Sequence, residues 1–227
     1  MTKTGQKTEV NLANIIDHTL LKQDATSGQI KKLCLEAIKY NFKSVCIAPC
    51  WVRTAAGFLV DSQVLVCTVI GFPHGNSTIQ TKVFAAQEAV KDGAQEIDMV
   101  INIGALKEKQ YTYCLEEIRE VKNAIGTNIL KVILETTLLT DEEKVQAALL
   151  SVKAGADFVK TSTGFAGGGA TVEDVMLLRK TVGPNVGVKA SGGIRDRKTA
   201  QAMVRAGANR LGCSAGVAIV TEKTQAP

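Results

Sequence analysis

The sequence has 227 residues, with 27 basic against 22 acidic side chains and a net charge of +5. That length fits one large domain or two small ones, and a chain of this size buries about 70% of its unfolded surface. With 45% hydrophobic and 22% charged residues, disorder and fibrous repeats are excluded, and with no apolar run longer than Val64 to Phe72 so is a membrane helix, which needs about 20 residues.

The chain opens on a polar tail, residues 1–10, without the apolar stretch of a secretory signal. The first apolar run, Asn14 to His18, predicts a strand, and a helical pattern follows over 26–40. A strand from Ser44 to Ala48 precedes a helix over 50–61. Val64 to Gly71 precedes 77–92, and Glu96 to Asn102 precedes 107–125. Leu130 to Thr136 leads into 140–154, where Val145, Ala148, Leu149 and Val152 recur at helical spacing. Asp141 and Glu142 stand in the first turn of that helix, where carboxylates suit the dipole. Asp157 to Ser162 precedes 171–182, Val186 to Ala190 precedes 196–206, and Arg210 to Ser214 precedes a last helix from about 214. Residues 221–227 form a second polar tail.

Three of the helix ends carry one phrase, basic–x–Gly–Ala, at 91–94, 153–156 and 205–208. The glycine is a left-handed C-cap, and the next strand starts directly after it. Near-continuous apolar strands alternating with helices are the pattern of parallel strands covered on both faces. Eight such units predict a single (β/α)8 TIM barrel spanning 1–227, with an open doubly wound sheet as the alternative.

Six cysteines, at 34, 46, 50, 67, 114 and 213, show no CxxC spacing and read as reduced, buried small hydrophobes. A cytoplasmic protein is the plain reading. The mild positive charge, with no basic run beyond two residues, suits small anionic substrates better than nucleic acid. Only His18 and His74 exist, so a three-histidine metal site is impossible and no metal or cofactor is expected. Both histidines, near predicted strand ends, read as structural, and Trp51 as core packing.

The informative residues are charges inside strand patterns, because lysine is depleted in strands and rarely buried without a partner. Lys131, Lys160 and Lys189 lie 29 residues apart, one βα unit each time, and are expected at equivalent places on three consecutive strands. Asp98 lies one unit earlier and Asp17 on the first strand. If Lys160 and Lys189 both point inward, they are neighbours about 4.8 Å apart across the sheet. Repulsion and a dry barrel mouth then lower a lysine pKa from near 10.4, and a neutral amine is a nucleophile for carbonyls. The alternative is a salt-bridged core in which Asp98, Glu135 and Asp17 neutralise the lysines. Three lysines recurring at strand positions argue against it.

Glycine-rich segments follow Lys160 (TSTGFAGGGAT), Lys189 (ASGGIR) and the last strand (GCSAG). Loops after strands 7 and 8 of such barrels commonly hold phosphate through backbone N–H groups. The candidates are Gly164, Gly192, Gly193, Gly212 and Ser214, with Arg195 nearby. Residues 167–169 are not a dinucleotide fingerprint, because position 172 is Val where a third Gly is required. Cys46, in the second strand, either faces the mouth near the lysines or is an inert buried thiol.

The segments IDHTLLK (16–22), GFPHG (71–75), EIDMVINIG (96–104), LKVILET (130–136), ADFVKTSTGF (156–165), VGVKASGGIR (186–195) and RLGCSAG (210–216) resemble the bacterial deoxyribose-phosphate aldolase family, in order and over nearly the whole chain. The resemblance implies a class I aldolase that cleaves 2-deoxy-D-ribose 5-phosphate reversibly to acetaldehyde and D-glyceraldehyde 3-phosphate. It implies Lys160 as the Schiff-base lysine, Asp98 as the proton donor and acceptor, and Lys189 as the lysine that tunes the site. The phosphate pocket maps onto Gly164, Gly192, Gly193, Gly212 and Ser214, with Lys131, Asp17, Thr163 and Cys46 as supporting residues. The retro-aldol step is placed at C3–C4. Two departures stand out: Ala215 replaces a second serine of some relatives, and the chain ends TEKTQAP where some carry a tyrosine. The implied partners are small phosphorylated sugars and aldehydes, with no nucleic acid and no membrane. A homo-oligomer, a dimer, is the expected assembly, although no residue pattern specifies it. A metal-dependent aldolase and a non-catalytic phosphate-binding barrel are the rival readings.

Overall fold

The alternation of apolar runs and amphipathic segments becomes, in a computed structural model that describes residues 10–222, a closed barrel of eight parallel strands. The polar tails read over 1–10 and 221–227 lie almost wholly outside the described residues. The strands are β1 (Ile16–Leu20), β2 (Ser44–Ile47), β3 (Leu65–Ile70), β4 (Glu96–Val100), β5 (Ile129–Ile133), β6 (Phe158–Lys160), β7 (Gly187–Ser191) and β8 (Arg210–Cys213), and they pair in sequence order with β8 closing onto β1. The helices are α1 (Ser27–Tyr40), α2 (Val52–Leu59), α3 (Ile79–Lys91), α4 (Ile103–Lys107), α5 (Tyr111–Ile125), α6 (Asp141–Lys153), α7 (Val172–Val182), α8 (Arg197–Ala206) and α9 (Gly216–Thr221). None among the described residues is long and apolar enough to cross a membrane.

The helix ends follow local chemistry. Thr140 and Glu143 close a reciprocal capping box on α6. The glycines of the repeated phrase, Gly93, Gly155 and Gly207, have φ of 111°, 88° and 115°, the left-handed turn a Cβ disfavours. Most strands and helices are shorter than expected, β5 ending at Ile133 and not Thr136 and β6 at Lys160 and not Ser162, and two boundaries have a clear local cause. The helix predicted over 107–125 is α5, which starts only at Tyr111; the short α4 ahead of it was not expected, and Lys109 stands between the two at φ 58°. The strand predicted from Asn14 begins at Ile16, because Leu12–Ile15 form a 3-10 turn capped by the Asn11 side chain.

Alternation along the strands separates two interiors. Val45, Val66, Ile97, Leu130, Val132, Val159, Val188 and Leu211 point outward and join the helices in the main apolar core. The other set points into the barrel. Strand register places these residues in levels of four drawn from alternate strands. The lowest holds Ser44, Glu96, Phe158 and Arg210. The middle level holds Asp17, Cys67, Lys131 and Lys189, and the upper level Cys46, Asp98, Lys160 and Gly212. Levels that are usually branched and apolar are charged here.

Candidate active site

Register corrects one expectation directly. Lys160 pairs with Lys189 across β6 and β7, but Lys131 pairs with Phe158, so the three lysines are not at equivalent places. Strand tilt leaves Lys131 and Lys189 level with each other and Lys160 one level higher, at the mouth.

Their amines nevertheless converge on one carboxylate. Lys160 and Lys189 donate to Asp98 Oδ2, each at 2.8 Å, and Lys131 donates to Oδ1 at 2.8 Å. Lys131 also lies 2.6 Å from Glu96 Oε2 and 3.8 Å from Asp17 Oδ2. Lys189 makes a second, very close ion pair with Asp17. Beneath them Arg210 bridges Asp17 Oδ1 at 2.8 Å and Glu96 Oε2 at 2.7 Å, and its guanidinium lies 5.2 Å from the Phe158 ring centre. Ser44 donates to Asp17 Oδ1 at 2.7 Å. Glu96 and Arg210 belong to the network although the sequence reading did not single them out. Each stands two residues from a chosen position, Asp98 or Gly212, and so shares its face.

Burial alone would raise the Asp98 carboxyl, but Lys131, Lys160 and Lys189 outweigh it and hold the group well below the usual carboxylate range. Asp17 is likewise held low against burial by Lys189, Lys131 and Arg210. Burial would lower Lys189 and Lys131, yet Asp17 and Asp98 push Lys189 up, and Asp98, Asp17 and Glu96 push Lys131 well up. Lys189 is therefore a paired cation, not the bare one expected from the sequence.

Above the network a cavity of about 360 Å³ opens at the C-terminal ends of the strands. Lys160 reaches it, while Lys131 and Lys189 lie fully buried beneath and do not line it. The five glycine and serine candidates, Gly164, Gly192, Gly193, Gly212 and Ser214, all line it, as do Thr163 and Arg195. Lys22, Thr19 and Ser191 line it as well and were not singled out in the sequence. Gly212 is required by space: a Cβ there would lie 2.9 Å from Lys189 Cε. Gly187 likewise clears the Phe158 ring, which a Cβ would approach to 2.1 Å.

The remaining candidates divide. Cys46 is buried opposite Cys67 in register, and Cys67 donates to Asp98 Oδ1 at 3.2 Å. His18 faces away from the barrel interior, 2.8 Å from Glu36 Oε2 and with its ring tilted against that of Phe42, centroids 5.0 Å apart; His74 is exposed. Cys50 is exposed, against the expectation that the cysteines are buried. The groups Cys46–Cys67–Asp98 and Asp17–Cys67–Glu96 have metal-ligand spacing. Their carboxylates already accept from lysine ammoniums, which a cation would have to displace.

The aldolase family model DeoC/LacD matches residues 12–222. The chain is 59% identical over 217 residues to a deoxyribose-phosphate aldolase from Geobacillus sp. (strain WCH70), covering 95% of this chain and 97% of the relative. It is 61% identical over 216 residues to one from Thermoanaerobacter sp. (strain X514), covering 94% and 97%. A tetrameric deoxyribose phosphate aldolase from Aeropyrum pernix superposes with a TM-score of 0.85 at 34% identity, covering 92% of this chain and 89% of that one. By its sequence and by its barrel, the chain belongs to the DeoC/LacD family of aldolases.

Proposed function

We propose that this aldolase cleaves 2-deoxy-D-ribose 5-phosphate reversibly to acetaldehyde and D-glyceraldehyde 3-phosphate through a Schiff base on Lys160. One observation carries the reading. The buried network holds four cations, Lys131, Lys160, Lys189 and Arg210, against three carboxylates, Asp17, Glu96 and Asp98. Its basic side chains outnumber its carboxylates by one. Lys131 and Lys189 each face two or more carboxylates, whereas among the described residues Lys160 faces Asp98 alone and shares that oxygen. Lys160 is the amine with the fewest carboxylate partners, and it is the one that meets the cavity.

The chemistry follows from that position. The Lys160 amine adds to the C1 aldehyde of the open-chain sugar. Asp98, 2.8 Å from the amine, supplies and recovers protons as the carbinolamine loses water to the iminium. Acetaldehyde carries two carbons, so the bond that breaks is C2–C3, not the C3–C4 bond expected at first. The electron pair of that bond flows into the iminium as the C3 hydroxyl proton leaves. D-Glyceraldehyde 3-phosphate departs, and a lysine-bound enamine remains. Protonation at C2 and addition of water free acetaldehyde and the amine. Lys131 and Lys189 stay charged and keep Asp98 placed. The phosphate end takes the glycine loops and the nearby Lys22 and Arg195, so binding energy remote from the reacting carbons orients them.

A cytoplasmic location and a homo-oligomer complete the proposal. The tetramer of the Aeropyrum pernix relative supports assembly without specifying a dimer. The test is release of D-glyceraldehyde 3-phosphate from the phosphorylated sugar. The parent chain is expected to release it and Lys160→Leu to release none above background. Substantial turnover by the variant would refute the role of Lys160.

A further inference from the structure

We propose that Glu135 is a positioning residue: its carboxylate fixes the Thr163–Phe165 segment and so sets affinity for the phosphate end of the substrate. The inference rests on the proposed function and assigns a task to a residue outside the lysine network.

Glu135 lies two residues past the end of β5, with φ 57° and ψ 62°. An L side chain holds that left-handed conformation only when its surroundings demand it. On either side the ladder to β6 continues: the Leu134 N–H donates to Lys160 O at 2.9 Å and the Thr136 N–H to Thr161 O at 3.0 Å. Between them the Glu135 side chain reaches the loop after β6. Its Oε2 accepts from the Thr163 N–H at 3.1 Å and from the Thr163 hydroxyl in a very short bond. Thr163 Oγ1 in turn accepts from the Phe165 N–H at 3.0 Å. One carboxylate oxygen thus sets the backbone of Thr163, Gly164 and Phe165, all of which line the cavity beside Lys160.

A purely architectural role explains this poorly. Glu135 is 1% exposed, and its Oε1 has no hydrogen-bond partner among the described residues. Burying a half-satisfied carboxylate on a left-handed backbone is unfavourable twice over, and glycine would make the same turn without either cost. What the glutamate adds is an acceptor oxygen that clamps the wall of the cavity through Thr163. Gly164, at φ 85°, is too permissive to hold that wall by itself.

The test compares Glu135→Gly, Glu135→Gln and Glu135→Asp with the parent chain. In Glu135→Gly the KM for 2-deoxyribose 5-phosphate is expected to rise about tenfold with kcat changed less than about twofold. The inhibition constant of inorganic phosphate should rise by the same factor, while kcat/KM for unphosphorylated 2-deoxyribose stays within about twofold. Glu135→Gln should keep the parent KM, because its amide oxygen can take the place of Oε2. Should the glycine variant fail to fold, Glu135→Asp replaces it. Asp tolerates the left-handed backbone, is one methylene shorter, and should show the same phosphate-selective loss. An unchanged KM for the phosphorylated sugar in a folded Gly or Asp variant would overturn the assignment, as would equal losses on both sugars. A parent chain that forms no borohydride-trapped acetaldehyde adduct would sink the Schiff-base reading instead. Calorimetric titration of inorganic phosphate into the variants would still decide the role of Glu135.

Discussion

Lys160 and Lys189 donate to the same atom, Asp98 Oδ2, from directly paired positions on adjacent strands. The two lysines differ in what else they touch. Lys189 has Asp17 on its other side and no access to the cavity; Lys160 has the cavity instead of a second carboxylate. That asymmetry is the reason Lys160, and not Lys189, is proposed as the nucleophile.

Removing Lys189 should therefore damage both chemistry and fold. Lys189→Leu leaves Asp17 and Asp98 with fewer counter-charges in a fully buried level. Breaking one side of a buried ion pair costs about 3–5 kcal/mol, so the urea midpoint should fall. Lys189 is one of the three cations that hold the Asp98 carboxyl below the usual carboxylate range, so without it the rising limb of kcat/KM against pH should move to higher pH. An unchanged limb in a folded variant would remove Lys189 from the tuning role.

Stability should decline at both pH extremes, and the signs follow from the network. Asp17 and Asp98 are held below their unfolded values, so their contribution is complete above about pH 4 and is lost as pH falls below it. Lys131 and Lys189 are raised, so their contribution is complete below about pH 10 and is lost as pH climbs beyond it. Urea midpoints from pH 2 to 11 check both limbs. Asp17→Asn should flatten the acid limb, and an equally steep limb would assign acid unfolding to other carboxylates.

A second buried ion pair lies outside the barrel interior. Lys82 Nζ sits 2.5 Å from Glu117 Oε1 and also donates to Gly75 O at 2.6 Å and Val100 O at 2.7 Å; Glu117 Oε2 accepts from the Asn102 N–H at 2.9 Å. Burial lowers the lysine and raises the glutamate, opposed by their mutual attraction. Lys82→Met should lower stability by about 3–5 kcal/mol, and adding Glu117→Leu should restore much of it. Denaturant titration of the single and double variants is the check. A Lys82→Met loss below about 1 kcal/mol would show that the pair is not anchoring the end of β4.

What was legible in the sequence was whatever a single strand or turn imposes. Eight apolar runs, left-handed glycines after three helices, and lysines inside strands led to the barrel and to Lys160, Asp98 and Lys189. Register was not legible: equal spacing put Lys131 level with Lys160, and only strand pairing lowers it. Charges at strand starts, Glu96 and Arg210, read as ordinary strand ends although they pave the barrel floor. Lys82 and Glu117 were hidden because helices normally carry charge. Yet Lys82 falls on the stripe with Ala86 and Ala89, and Glu117 on the stripe with Cys114 and Val121, and that placement was the available signal. The break at Lys109 left no mark in the periodicity.

The most direct measurement is borohydride reduction in the presence of acetaldehyde, followed by mass spectrometry of the digested chain. One ethyl group per chain is expected on Lys160, with none on Lys131 or Lys189 and none in Lys160→Leu. Stoichiometric labelling at Lys189, or labelling that persists after Lys160 is replaced, would contradict the account.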